Sequence, residues 1–342
     1  MARRIPAWLQ WEPPIPPEEL AEEMDAAAAP SIDFYLPLLV SAALATFGLI
    51  ADSVAVIIGA MFIAPMMDPI VALSYAIARR NRSLIFNAAL SILSGIVLVM
   101  AASWGVTRLL DYQLLGNEIV SRTTPNLIDL GIAVASGIAG SIARSRRRIA
   151  SALPGVAIAV ALVPPICVTG IGLALGDAAL LDGAPDPVRN DYGLEAGSFL
   201  LFLTNFTAVI FCGSVVFLVQ GYGRWEGARG GILTSLLLVA VVAIPLSFTF
   251  AKMRFRSGVA STLVEISADY PELEGVEVRQ IRVQYQPEIR LLQLHVDATP
   301  GVLRPEHVAA IELALQKRFK REIAVQLIIS NYEILTSEGA LR

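Results

Sequence analysis

Apolar residues fall in long, nearly uncharged windows near 32–50, 54–78, 83–105, 126–143, 150–176, 195–220 and 231–251. A hydrocarbon core takes about 20 apolar residues per helical span, so the pattern predicts a polytopic α-helical membrane protein with about seven spans. Asp52 and Ser53 separate the first two windows, where they can cap the second helix. From about residue 257 the pattern changes. Residues 258–268 read as a helix. Val276 to Gln284 and Ile289 to Val296 alternate as strands around a turn at Gln286-Pro287. Residues 304–319 give an amphipathic helix starting at Arg304-Pro305, and 323–330 a third strand. This order predicts a small C-terminal α+β soluble domain with its helices on one sheet face. The expected division is a cytoplasmic N-terminal tail (1–30), a transmembrane domain (31–252) and the soluble domain (253–342).

Composition agrees with the windows. The 342 residues are 55% hydrophobic and 16% charged, against about 25% charged in soluble domains. Basic charge is mostly arginine and no segment forms a basic domain, so nucleic acid is not an expected partner; the lipid bilayer is. Cys167 and Cys212 lie inside spans and read as small buried hydrophobes rather than a disulfide. The first thirty residues lack the apolar core of a signal peptide. They carry Trp8, Trp11, a proline cluster and the acidic stretch from Glu18 to Asp25. Two readings stand side by side for 17–28: an amphipathic helix lying against the membrane with the tryptophans at the headgroups, or a loosely ordered tail. His295 and His307 are isolated and read as structural, with no metal or cofactor implied. No Ser/His/Asp set, zinc-spaced cluster or phosphate loop is present, so the chain is not expected to be an enzyme and no catalytic residue is assigned.

Charge sets an expected orientation. Arg79, Arg80 and Arg82 follow the second window, Arg144 and Arg146 to Arg148 the fourth, and Arg224 and Arg229 the sixth. The alternate loops carry Asp111, Glu118, Asp177, Asp182, Asp186 and Asp191. The positive-inside rule then places the arginine loops and the N-terminus in the cytoplasm, in a plasma (inner) membrane protein. Seven crossings put the C-terminal domain outside, whereas Lys252, Arg254 and Arg256 just after the last window favour the inside.

An internal duplication organises the windows. The second reads Gly59-Ala60-Met61-Phe62-Ile63-Ala64-Pro65-Met66-Met67-Asp68-Pro69, and the fifth Ala157-Ile158-Ala159-Val160-Ala161-Leu162-Val163-Pro164-Pro165. Each is flanked by one window before and one after. The result is a 3+3 inverted repeat (31–105 and 126–221) with broken helices two and five, plus an extra span at 231–251. Proline cannot donate an amide hydrogen bond and clashes with the preceding turn. A break in mid-membrane persists where protein, water or substrate satisfies the freed groups. Pro65, Pro69, Pro164 and Pro165 therefore mark a candidate site, with Gly59 leading into the first break. Asp68 is the acidic residue nearest the middle of a span, which suits an ion or proton path or a helix cap. Asn87 and Asn205, on the third and sixth windows, are candidate polar contacts or interhelical hydrogen-bonding residues. Ser136-x-x-x-Gly140 and Gly172-x-x-x-Gly176 read as packing faces.

The run from Asp52 to Met67, the run from Ala152 to Pro165, and Leu203-Thr204-Asn205-Phe206 with the apolar stretch after it resemble the motifs of the DUF389 family of prokaryotic membrane proteins. The likeness covers about 40–221 and implies a membrane location with no assigned substrate. It departs at Asp68, where the family's pattern has a small or neutral residue, often glycine. The expected function is a transporter or channel for a small solute or ion, in a homo-oligomer. The alternative is a non-transporting sensor or scaffold acting through the C-terminal domain.

Overall fold

The computed structural model describes residues 13–111, 115–147, 162–176, 193–269, 277–285, 290–297, 304–319 and 323–330. The chain divides into two compact units, Met1–Thr249 and Phe250–Arg342. The first contains helices α1 (Pro17–Ala28), α2 (Ile32–Ile50), α3 (Val54–Ile63), α4 (Met67–Arg79), α5 (Arg82–Leu110), α6 (Asn117–Val120), α7 (Leu127–Arg144), α8 (Val163–Leu175) and α9 (Gly193–Val219). Helix α10 (Trp225–Asp269) begins in the first unit and ends in the second. Side-chain caps fix several starts: Ser31 accepts from the Phe34 N–H, Asn81 from the Leu84 N–H, and Asn126 forms a capping box with Asp129.

Among the described residues five helices are long and apolar enough to cross a membrane: α2, α5, α7, α9 and the Trp225–Ala251 part of α10. The count is six if α3 and α4, which bend by 53° at their junction, form one span. The fifth window yields α8, whose 13 residues rise only about 20 Å; 150–161 lies outside the described residues, as do Trp8, Trp11 and the acidic loop around 177–191. Helices α2, α5 and α10 turn large apolar side chains outward, among them Leu36, Leu93, Val97, Leu237 and Phe248. That is the arrangement a lipid solvent rewards and water penalises.

Glycines set which helices touch, and in which direction. A Cβ at Gly137 of α7 would lie 2.8 Å from the Val209 Cα of α9, and one at Gly213 would lie 2.7 Å from the Ser141 Oγ. The residue numbers rise together, so α7 and α9 run parallel. Ser214 donates to the Ser74 carbonyl at 3.1 Å, and Gly223 abuts the Ala78 carbonyl, so α4 runs with them. The ends carrying Arg79, Arg144 and Arg224 therefore gather at one end of the unit. At Gly172 the expected packing face holds, against the Glu195 backbone; Gly176 instead forms the left-handed turn after α8.

Two expected capping and tail roles change. Ser53 precedes α3 without a side-chain cap bond. Asp52 turns across to the other loop, accepting the Glu118 N–H at 2.7 Å and the Asn117 amide at 3.2 Å. A carboxylate there meets the start of α6, so it joins two loops distant in sequence. Helix α1 is ordered, and its apolar face packs on the protein. Leu20, Met24 and Ala28 are fully buried in the core that contains Tyr75, Leu84 and Ala88. Tyr75 Oη donates to the Pro17 carbonyl at 3.3 Å, Ser91 Oγ to the Ala28 carbonyl at 2.7 Å, and Tyr222 Oη to the Ile15 carbonyl at 2.7 Å. Its apolar stripe was satisfied by neighbouring helices, a partner that amphipathicity alone does not specify.

The second unit contains the end of α10, then β1 (Glu277–Tyr285), β2 (Arg290–Asp297), α11 (Pro305–Phe319) and β3 (Ile323–Ser330). The sheet order is β1-β2-β3, with β1 antiparallel to β2 and β2 parallel to β3. Leu292, Leu294 and Val296, alternate residues of β2, join Phe255, Val259 and Ile266 of α10 and Ile311 and Leu315 of α11 in one core. Both helices thus cover the same sheet face. His307 is buried, and its Nδ1 accepts the Arg304 N–H at 3.2 Å, a structural use at the start of α11. The His295 side chain lies outside the described residues.

Candidate functional site

The two proline-led helices begin inside the first unit rather than at its ends. In α4 every residue from Ile70 to Ala76 is buried, as are Met67 and Pro69. In α8 every residue from Val163 to Gly172 is buried. Both pack on α9, in opposite senses. Along the parallel α4–α9 pair, moving from Ser74 back to Met67 leads from Ser214 to Thr207. Thr169 of α8 shares a 2.9 Å hydrogen bond with Ser198, and Gly172 meets Glu195, so that pair is antiparallel. Moving from Thr169 back to Val163 leads from Ser198 to Thr204. The two helices therefore start against one stretch of α9, Thr204 to Thr207, which contains the buried Asn205.

Starting a helix in an apolar interior leaves four N–H groups without intrahelical partners. Neither start has a side-chain cap: the residues at the cap positions are Met66 and Leu162. Proline lowers the cost by removing donors. Pro164 and Pro165 occupy the second and third positions of α8, and Pro69 the third of α4, so these positions carry no N–H to satisfy. Pro65 sits in the break itself, where the Asp68 N–H reaches its carbonyl at 3.3 Å. At the end of α3 the Ala60 carbonyl accepts from the Ala64 N–H at 3.2 Å and from Ser41 Oγ at 2.7 Å. The first break is thus closed by α2.

Asp68 has a partner that its surroundings in sequence do not reveal. Its carboxylate accepts from the Arg144 guanidinium, at the last turn of α7. Asp68 is half-buried and Arg144 more deeply so. The sequence offered an ion path or a cap; the carboxylate forms no cap bond, and it sits in the first turn of α4, where negative charge favours the helix dipole. Around it lies a strap: Arg147 pairs with Glu19 of α1, and the Ile15 N–H donates to the Ser145 carbonyl at 2.9 Å.

Of the remaining candidates, Asn87 is exposed on α5 whereas Asn205 is buried, so the two are not equivalent and Asn87 does not join the others. A solvent- or lipid-facing helix surface and a packed one read alike when only the residue type is known. Gly59 is half-buried with no atom within 4 Å of its missing side chain, well along α3 from the junction. Sequence reasoning missed Arg144, Thr204 and Thr207. The buried hydroxyls donate to their own helix, Thr204 to the Leu200 carbonyl at 2.7 Å and Thr207 to that of Leu203 at 2.8 Å. Their only signal was their place beside Asn205.

A family model for a domain of unknown function, DUF389, matches residues 61–211. That interval contains both proline-led helices and the α9 stretch against which they start. Over that interval the chain is similar to the DUF389 family. An uncharacterized protein of Methanocaldococcus jannaschii is 30% identical over 226 residues, 65% of this chain. The alignment spans 66% of that relative's own length, just under two thirds. The DUF389 match thus covers the region where α4 and α8 meet α9 and stops short of α10 and the strand-containing unit.

Proposed function

We propose that this chain is a membrane transporter or channel for a small solute or ion, acting where α4 and α8 begin. The observation that carries the reading is that two proline-led helices of opposite direction start, buried and uncapped, against Thr204 to Thr207. Paired helix starts of this kind near a bilayer midplane serve ion and solute sites in transporters built from inverted repeats. In this reading α2 to α5 and α7 to α9 are the two copies, α3 and α4 are one broken span, and α8 is the second half of the other. Asp68 and Arg144 flank the site, and their pair must rearrange or be bypassed when a charged solute passes. Asn205, Pro65, Pro69, Pro164 and Pro165 shape it. The protein sits in the plasma membrane with its arginine-bearing end in the cytoplasm, works as a homo-oligomer, and is not an enzyme.

The test is flux through purified protein in vesicles, with separate gradients of protons, potassium and chloride read by fluorescent reporters. At least one gradient collapses faster with protein than without. Asp68→Asn and Pro164→Ala each abolish that flux while the protein still elutes as one folded species. Unchanged flux in both variants overturns the site assignment. Absence of flux for every gradient favours the second reading, a sensor or scaffold acting through the C-terminal domain.

A further inference from the structure

Two turns far apart in sequence are locked together at the arginine-bearing end of the first unit. One joins α4 to α5 and holds Arg80, with Arg82 opening α5; the other joins α9 to α10 and holds Arg224, with Arg229 just inside α10. Gly223 abuts the Ala78 carbonyl, and a Cβ at Gly227 would lie 3.8 Å from Cδ of Arg80, so the Arg80 side chain reaches the second turn. The first turn is tight. The Asn81 N–H donates to the Ala76 carbonyl at 3.0 Å, and the Asn81 side chain caps α5. Arg80 takes a left-handed conformation there, with φ 57°. Glycine is the usual residue at such a helix end, and a side chain costs about 1–2 kcal/mol. A guanidinium stands at that position all the same. Arg80, Arg82, Arg224 and Arg229 are all exposed, and among the described residues none of them forms an ion pair. Arg79 differs, lying over the Tyr75 ring at 5.8 Å. Glu226 is the acid of these two turns, so their charge is strongly positive.

Beneath the arginines lie apolar stripes. Phe86, Leu90, Leu93 and Val97 follow Arg82 along one face of α5, between 46% and 67% exposed. Leu233, Leu237, Val241, Ile244 and Phe248 follow Arg229 along α10, between 54% and 65% exposed. From Phe86 to Val97 the helix rises about 16 Å, close to one leaflet of a ~30 Å hydrocarbon core. Trp225, 51% exposed, stands beside Arg224, where an amphipathic ring suits the headgroup level. A soluble anion would engage the arginines alone; a phospholipid engages arginines and stripes together. A choline headgroup brings its own cation to the phosphate, so guanidiniums without acidic partners favour a lipid of net negative charge. We propose that Arg80, Arg82, Arg224 and Arg229 bind the headgroup phosphate of an anionic phospholipid, whose acyl chains lie along the stripes of α5 and α10. This inference needs the membrane location and is independent of the transport reading.

Native mass spectrometry of the full-length protein in neutral detergent tests it, with phosphatidylglycerol and phosphatidylcholine titrated separately. Phosphatidylglycerol is retained on the protein at concentrations where phosphatidylcholine is not. Arg80→Gln, Arg224→Gln and Arg229→Gln each weaken that retention about five-fold, the scale of one arginine at an anionic surface. Arg108→Gln leaves it unchanged, although Arg108 also lies beside an exposed tryptophan, Trp104, at the far end of α5. Glycerol phosphate, the headgroup chemistry without acyl chains, does not displace the lipid. Equal retention of the two lipids overturns the proposal, as does an equal loss from Arg108→Gln and Arg229→Gln. Displacement by glycerol phosphate at matched concentration also overturns it, in favour of a site for a soluble anion.

Discussion

Helices α4 and α8 have the same length, 13 residues, and the same kind of start, yet they handle charge in opposite ways. Three residues beyond Pro65 stands Asp68; three residues beyond Pro164 stands Cys167. Asp68 is half-buried and holds Arg144. Cys167 is fully buried, with its Sγ 3.8 Å from the Ala42 carbonyl. The rest of α8 follows suit: it carries no charged residue and binds its neighbours through close backbone approach, a Cβ at Gly170 lying 2.6 Å from the Met100 carbonyl oxygen. Helix α4 is instead tied to α1, α7 and α9 by polar contacts from Asp68, Tyr75 and Ser74. One proline-led start is built to carry a charge and the other to exclude it.

Transplanting the charge breaks this comparison most severely. Cys167→Asp buries a carboxylate without an arginine and costs on the order of several kcal/mol; size-exclusion chromatography in detergent shows loss of the monodisperse peak. Asp68→Cys at the matching position leaves the peak intact. Next comes packing. Gly170→Val forces α8 from α5 and costs about 1–3 kcal/mol, seen as a lower thermal midpoint. Gly59→Ala, where no atom lies within 4 Å, leaves the midpoint unchanged. Arg144→Met strips Asp68 of its partner. The carboxylate is partly exposed, so the loss stays near 1 kcal/mol, below that of a fully buried pair; adding Asp68→Asn recovers part of it, a coupling a double-mutant cycle measures. Smallest is Tyr75→Phe, which removes the bond to Pro17 and costs about 0.5–1 kcal/mol. It shows as faster proteolysis within α1 and leaves the α8 contacts unaffected.

Much of the framework was legible because it rests on local chemistry. The apolar windows became α2, α5, α7, α9 and the first part of α10 within a few residues, since their length and composition admit little else. The break at Pro65 was legible because a missing N–H is written in the residue itself. The strands and α11 followed from alternation and from the helix start at Arg304-Pro305. What misled was direction. Asp68 and Asp52 are both carboxylates beside helix starts; capping its own helix was the expectation for Asp52 and, beside an ion or proton path, one of two for Asp68, and each carboxylate bonds a group from another part of the chain. Asn87 and Asn205 matched as residue types, but helix rotation turns one outward and the other inward.

By itself, then, the sequence determined that the chain has membrane-compatible helices, two proline-led starts and a C-terminal strand region, because length, hydropathy and proline chemistry act over a single turn or span. Tertiary structure decided that the two starts meet the same stretch of α9, that Arg144 rather than solvent or a helix end holds Asp68, and that the apolar face of α1 is buried. Those outcomes depend on which faces pack together, a long-range choice set by small residues such as Gly137 and Gly213, whose partners no local pattern names.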